Sequence, residues 1–290
     1  MPTTVVFIND GEVDYRSASI SVFDYTLHCG IGLFESILAV DDRLIFLDEH
    51  LDRMELGMSR LGLRKLNYTR RRIAETLRRA VRRHPAKVKK VKLLLTHGYS
   101  FLWPGSRPGS KSIVIVMDHK LEFRIQSLLV SPMTVHASDP MRGNKTLNFM
   151  TEWLSQEKAI SEGYDQGIII NQDGCIAETG SANLFMVKSG EVYTPSLESG
   201  GLPGTIRKEI IRLVRANNIA CHEIALKPDE LISADEVFTT SSFKVVWPVV
   251  RIKLDGIHTL RPGPISKAIF DRLKTNFFTG VYKDELQPTK

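Results

Sequence analysis

The chain has 290 residues, with 39 Lys and Arg against 33 Asp and Glu, a formal net charge of +6 and 42% hydrophobic residues. That is too long for one small domain and ample for a buried core, and it lacks the run of about 18 apolar residues that a membrane span needs. The three cysteines, Cys29, Cys175 and Cys221, lie far apart without metal-ligand spacing, and no basic stretch precedes Val5 to Ile8; the expectation is a cytoplasmic protein with neither a disulfide framework nor a metal centre.

Val5 to Ile8, the turn Asn9-Asp10-Gly11 and Glu12-Val13 predict a hairpin, and Phe34 to Val40, Asp41-Asp42 and Arg43 to Phe46 a second one. Asp48 is placed to cap a helix whose apolar positions Leu51, Met54, Met58 and Leu61 keep a three-four rhythm as far as Gly62. Thr69 opens a basic helix that Pro85 ends. Within it Ile73, Leu77, Ala80 and Val81 recur at helical spacing, so the arginines fall on the opposite face. The plainer reading of this run is a solvated helix face; without aromatic interleaving or a nucleic-acid motif, no nucleic-acid partner is expected.

Val88 to Thr96 and Ser112 to Met117 read as strands, separated by a loop punctuated with glycine and proline from His97 to Lys111. Residues 121–127 form a candidate linker between a domain at 1–120 and one at 128–290. Beyond it come a strand from Leu128 to Ala137, a polar loop carrying Lys145, and a helix from Leu147 to Glu162 that stops at Gly163. Gln166 to Glu178 reads as strand, turn and strand, and Asn183 to Lys188 with Glu191 to Thr194 as another hairpin. A helix opens at Thr205 or Ile206 and closes at Asn217-Asn218. Three strands (Ile219 to Ala225, Glu236 to Thr240, Val245 to Ile252) precede a last helix from Pro264 to Phe277. Strands outnumber helices and adjoin as hairpins, which predicts an α+β fold rather than a parallel doubly wound sheet.

Three short motifs carry candidate chemistry. Arg142 to Phe149 holds Lys145, a candidate for condensation with an aldehyde and for proton transfer at a substrate α-carbon. Ala177 to Phe185 holds Glu178, a carboxylate that could keep a pyridine nitrogen protonated. Leu202 to Arg207 is a tight turn running into a helix, where backbone N–H groups and the helix dipole favour a phosphate. The hydroxyl-rich turn Thr239-Thr240-Ser241-Ser242 and Arg53 could complete such a cup. Singly, each has a plainer reading: a loop cation, a helix cap, an ordinary helix start, a surface arginine.

In this order the motifs resemble the class IV, or fold-type IV, pyridoxal phosphate (PLP)-dependent enzymes. That group includes branched-chain and D-amino-acid aminotransferases, (R)-selective amine transaminases and 4-amino-4-deoxychorismate lyases. The likeness extends through Asp24 to Ile37, Phe46 to Met54 and Ala234 to Pro248. It implies two domains: a small N-terminal α/β domain and a larger, barrel-like C-terminal α/β domain, with the cofactor between them, in a homodimer. It also implies that Lys145 bonds the cofactor aldehyde, Glu178 partners the ring nitrogen and Leu202 packs on the ring. Thr205, Ile206, Ser241, Ser242 and Arg53 would hold the phosphate.

Substrate choice is expected at Phe34, the loop from His97, and Ser241 to Phe243, with Arg107 a candidate for the substrate carboxylate. Leu102-Trp103-Pro104 stands where D-amino-acid enzymes place an Arg-x-His trap, which argues against that subtype. Phe149 stands where branched-chain enzymes usually have tyrosine, and their Tyr-x-Arg is absent, while the apolar lining (Phe34, Phe101, Trp103, Phe243) still favours an apolar side chain. The expected function is an aminotransferase acting between an amino acid and a 2-oxo acid, with the lyase as the open alternative.

Overall fold

The computed structural model describes residues 3–63, 68–98 and 109–286. Arg107, Phe101 and Trp103 lie outside them. The chain divides into two units, Met1–Lys120 with Asn144–Phe149, and Leu121–Gly143 with Met150–Lys290.

In the first unit the elements are β1 (Thr4–Ile8), β2 (Gly11–Val13), a short α1 (Tyr25–Cys29), β3 (Gly32–Val40), β4 (Arg43–Leu44), α2 (Leu47–Arg60), α3 (Arg70–Arg83), β5 (Val88–Thr96) and β6 (Ser112–Asp118). The strands form one antiparallel sheet in the order β2-β1-β6-β5-β3-β4. Alternation along the strands turns Val5, Phe7, Leu33, Ile37, Leu93 and Val116 towards the helices. There they meet Leu51, Met54 and Met58 of α2 and Ile73, Leu77 and Val81 of α3. Four arginines of α3 are paired with carboxylates: Arg70 with Asp48, Asp52 and Glu55, Arg71 with Glu75, Arg72 with Asp10, and Arg83 with Glu12.

Asp48 does not cap α2. Phe46, in the left-handed region at φ 55°, occupies the N-cap position without a side-chain bond, and Asp48 sits in the first turn, where its charge complements the helix dipole.

The second unit holds β7 (Gln126–Val135), α4 (Met150–Ser161), β8 (Gln166–Asn171), β9 (Ile176–Thr179), β10 (Asn183–Lys188), β11 (Glu191–Pro195), α5 (Thr205–Ala216), β12 (Cys221–Ile224), β13 (Glu236–Thr240), β14 (Trp247–Lys253), β15 (Ile257–Thr259) and α6 (Pro264–Thr279). Its nine strands run in the order β12-β11-β10-β13-β14-β7-β8-β9, with β15 on β14. The sheet curls, because Ile176 of β9 donates to the carbonyl of Leu226, just beyond β12 at the opposite end (2.7 Å). Leu128, Ile168, Ile176, Leu184, Met186, Val237 and Val249 fill its core.

Two boundaries differ from expectation around the lysine motif. The helix expected from Leu147 starts only at Met150. Residues 144–149 instead run alongside β3: Leu33 bridges Thr146, Phe34 N–H donates to the Lys145 carbonyl (2.9 Å), and Leu147 N–H to that of Gly32 (3.0 Å). Lys145 therefore lies on an extended segment fixed by β3, not at a helix start. Likewise β7 begins at Gln126, inside the stretch expected as linker, and Leu121 is buried.

Candidate active site

In the second unit, residues from all three motifs meet at Glu178. Arg142, to which the sequence alone assigns no role, donates from Nη2 to Glu178 Oε1 (2.6 Å), from Nη1 to Glu152 (2.6 Å) and from Nε to the Gly200 carbonyl (2.8 Å). The other carboxylate oxygen of Glu178 accepts from Leu202 N–H (3.2 Å), and the carboxylate is largely buried. Guanidinium and carboxylate are both mostly withdrawn from water. Nothing in the local pattern around Arg142 names a partner 36 residues away.

The turn before α5 is held by the second motif. Asn183 donates from Nδ2 to the Leu202 carbonyl (2.8 Å), and its Oδ1 lies against Gly204, where a Cβ would come within 2.0 Å of it. Gly201 likewise passes so close to the Ala177 carbonyl that a Cβ would stand 2.5 Å from it. These glycines are required for space, not for dihedral freedom. Gly204 is the N-cap of α5 and brings no side chain to its first turn, formed by the buried Thr205, Ile206 and Arg207. A helix start of that kind, with its dipole and unhindered backbone, suits an anion.

Asn183 also pairs with Thr240 across β10 and β13, which brings the turn after β13 beside the start of α5. In that turn Val245 N–H donates to the Ser241 carbonyl (2.8 Å) and Thr240 Oγ1 to the Val245 carbonyl (2.5 Å). Val245 is held at φ 58°, a strained conformation for a β-branched residue, so the turn carrying Ser241, Ser242 and Phe243 is over-determined by its surroundings. A phosphate-bearing ring with an ionisable nitrogen fits this donor set: amides and hydroxyls at one place, a carboxylate at another.

In the first unit Lys145 Nζ stands 4.3 Å from the centroid of the Phe34 ring, and Phe149 meets the same ring edge-on at 5.7 Å. Arg53, expected at the phosphate, is forked onto Glu35: Nε donates to Oε1 (2.9 Å) and Nη2 to Oε2 (2.6 Å). His50 Nδ1 lies 2.6 Å from the same Oε2. Burial opposes ionisation of Glu35, but Arg53 and His50 outweigh it and hold the carboxyl down to about 2. Burial first, and then the Arg53 and Lys145 charges, lower the His50 pKa against the pull of Glu35, so the imidazole is neutral and donates to the carboxylate.

His97 is buried with its ring against Tyr25 (5.7 Å), and its N–H donates to Thr26 Oγ1 (2.9 Å). Asp24 Oδ1 accepts from both Thr26 and Gly98 N–H, so the Asp24-Tyr25-Thr26 stretch fixes His97 and Gly98 at the end of β5.

A family model described as amino-transferase class IV matches residues 32–252. The branched-chain-amino-acid aminotransferase of Pseudomonas aeruginosa is 27% identical over 282 residues, covering 90% of this chain and 91% of that protein. Among solved structures, the branched-chain amino acid aminotransferase of Escherichia coli matches over 98% of this chain and 95% of its own, at 26% identity and a TM-score of 0.84. A branched-chain aminotransferase from Thermoproteus uzoniensis, crystallised with norvaline, matches over 95% of each chain at 24% identity and a TM-score of 0.86.

Proposed function

The chain belongs to the class IV aminotransferases, and we propose that it moves an amino group between an amino acid with an apolar, branched-chain-like side chain and a 2-oxo acid. The observation that carries the apolar preference is the aromatic wall beside the lysine, Phe34 with Phe149 set edge-on against it. Relatives named as branched-chain aminotransferases support the same substrate class.

Pyridoxal phosphate, when bound, supplies the electron sink that lets a substrate α-carbon release its proton. Lys145 is assigned the covalent hold on the cofactor aldehyde and, once freed by substrate, the proton transfer at the α-carbon. Glu178, whose Oε1 accepts from Arg142, would hold a proton at the ring nitrogen as a carboxylate. Leu202 is assigned the ring face. Thr205, Ile206, Ser241, Ser242 and Arg53 are assigned the phosphate, and Phe34, His97, Phe243 and Arg107 the substrate.

We place the enzyme in the cytoplasm, in keeping with three unpaired cysteines, and as a homodimer, supported by the outward apolar side chains of α4.

An amino-donor screen read by the visible absorbance of the cofactor tests the reaction. Donors with apolar branched side chains should convert the cofactor to its amine form and stall until a 2-oxo acid is added. Continuous turnover of a single substrate with release of pyruvate would mean a lyase instead. Lys145→Ala should remove the visible band, and its survival would refute the lysine assignment.

A further inference from the structure

Four buried polar side chains meet at one end of the core of the curled sheet in the second unit. Gln126 stands two residues before Leu128 on β7, Gln166 two before Ile168 on β8, and Thr239 two after Val237 on β13, each on the face those apolar residues turn to the core. Thr179 of β9 lies opposite Ile168 in register. Their bonds run in one direction. The Trp247 carbonyl can only accept, so Gln126 turns its Nε2 towards it (3.0 Å) and towards Thr239 Oγ1 (2.6 Å). Gln126 Oε1 then accepts from Gln166 Nε2. Gln166 Oε1 is left to accept from the hydroxyls of Ser181 (2.8 Å) and Thr179 (3.1 Å), the latter sharing its proton with the Ala182 carbonyl (2.9 Å). Ser181 in turn accepts from Lys244 Nζ (3.0 Å). Turning over either amide, or both, would set one oxygen against another, so the chain has a single satisfied arrangement.

Packing alone does not call for this chain, because apolar residues fill the neighbouring positions of the same strands and buried polar groups cost stability wherever a partner is missed. What it joins are two places assigned to the cofactor. Thr179 follows Glu178, and Thr239 leads through Thr240 into Ser241 and Ser242. On one side these places are already linked by backbone: β9 turns through Ser181 and Ala182 into β10, whose Asn183 pairs with Thr240. From the core side the amides add a second link, with Gln126 reaching past β14 to Thr239. We propose that Gln126 and Gln166 are positioning residues that hold the span between Glu178, at the ring nitrogen, and the Ser241-Ser242 turn, at the phosphate, so that one cofactor molecule meets both at once. This rests on the assignment of those residues to the cofactor made above. A ligand gripped at one end meets the second grip at high effective concentration only when the span is right.

The test is titration of cofactor-free protein with PLP, with pyridoxal, which has the ring but no phosphate, and with inorganic phosphate. Gln166→Met keeps much of the side-chain volume and removes the amide. It should bind PLP about tenfold more weakly, while pyridoxal and phosphate, each bound alone, keep their wild-type affinities. Gln126→Met should behave alike, and the double variant should lose no more than either single one, since both break the same chain. Unchanged PLP affinity in either single variant overturns the proposal. A loss that pyridoxal or phosphate shares in full marks local damage at one grip and overturns it as well, as do additive losses in the double variant. If the wild-type protein itself binds PLP no better than pyridoxal, the phosphate assignment falls and the proposal with it. Should both glutamine variants fail to fold, Ser181→Ala, at the exposed end of the chain, removes one of the two hydroxyls on Gln166 Oε1. A smaller loss confined to PLP is then expected, and no loss overturns the proposal.

Discussion

Arg142 shows how one side chain can set the chemistry of another that was easier to recognise. Its three donors meet Glu178, Glu152 and the Gly200 carbonyl, tying α4, β9 and the approach to α5 to the lysine motif around a single guanidinium. Removing only the arginine leaves two largely buried carboxylates without their cation, a loss on the order of 3 kcal/mol. Arg142→Met should therefore lower the urea midpoint strongly. Glu178→Gln should retain cofactor while turnover falls sharply, because an amide does not hold a proton on the ring nitrogen. The double variant Arg142→Met with Glu178→Gln should be more stable than the sum of the two losses, since one of the stranded charges is gone. Strict additivity in that cycle would show that the pair is not coupled, and an unchanged turnover in Glu178→Gln would remove its electronic role.

At the scale of elements, β3 and α2 are joined by the Glu35, His50 and Arg53 cluster, and its titration has a definite sign. The Glu35 carboxyl is held at about 2 in the fold against an ordinary 4.5, so it stabilises the fold above about pH 4.5 and that contribution disappears as pH falls towards 2. His50 is lowered from 6.5, so on acidification the unfolded chain takes up its proton first, which also favours unfolding. Both act in one direction: stability should decline from about pH 6.5 downwards, and Glu35→Gln should flatten the lower part of that decline. Urea midpoints at about pH 5 and about pH 3 measure the Glu35 part, and equal losses in variant and wild type would deny Glu35 this role. Neither Glu35 nor His50 stood out in the sequence, because Glu35 occupies an alternating strand position and its partners lie 15 and 18 residues away. The hairpins and the stripes of α2 and α3 were legible because their periods are local. The Lys145 segment was misread as leading into a helix because what holds it extended is a partner, Leu33, more than a hundred positions earlier. The site motifs were legible as types and order, whereas the bonds of Arg142 and Asn183 belong to the fold.

For the whole molecule, α4 poses a question that one chain does not answer. Its inward side is made of small residues, Ser155 and Ala159, pressed so close to β8 that a Cβ on Gly167 would lie 2.2 Å from Ser155 Oγ. Its large apolar residues point the other way: Met150 is 60% exposed, Trp153 51%, Leu154 40% and Ile160 55%. A helix that serves only its own core has the opposite arrangement. Contiguous exposed apolar side chains of this size mark an interface, and a second copy of the chain is the occupant consistent with the proposed homodimer. Trp153→Glu should then shift the protein from dimer to monomer in sedimentation velocity, because a carboxylate would have to be buried without a partner on both sides of a twofold interface. The substitution points outward from α4, so the monomer should keep its fold by circular dichroism. A Trp153→Glu protein that remained dimeric at the same concentration would place the subunit contact elsewhere and leave the inverted pattern of α4 to another partner.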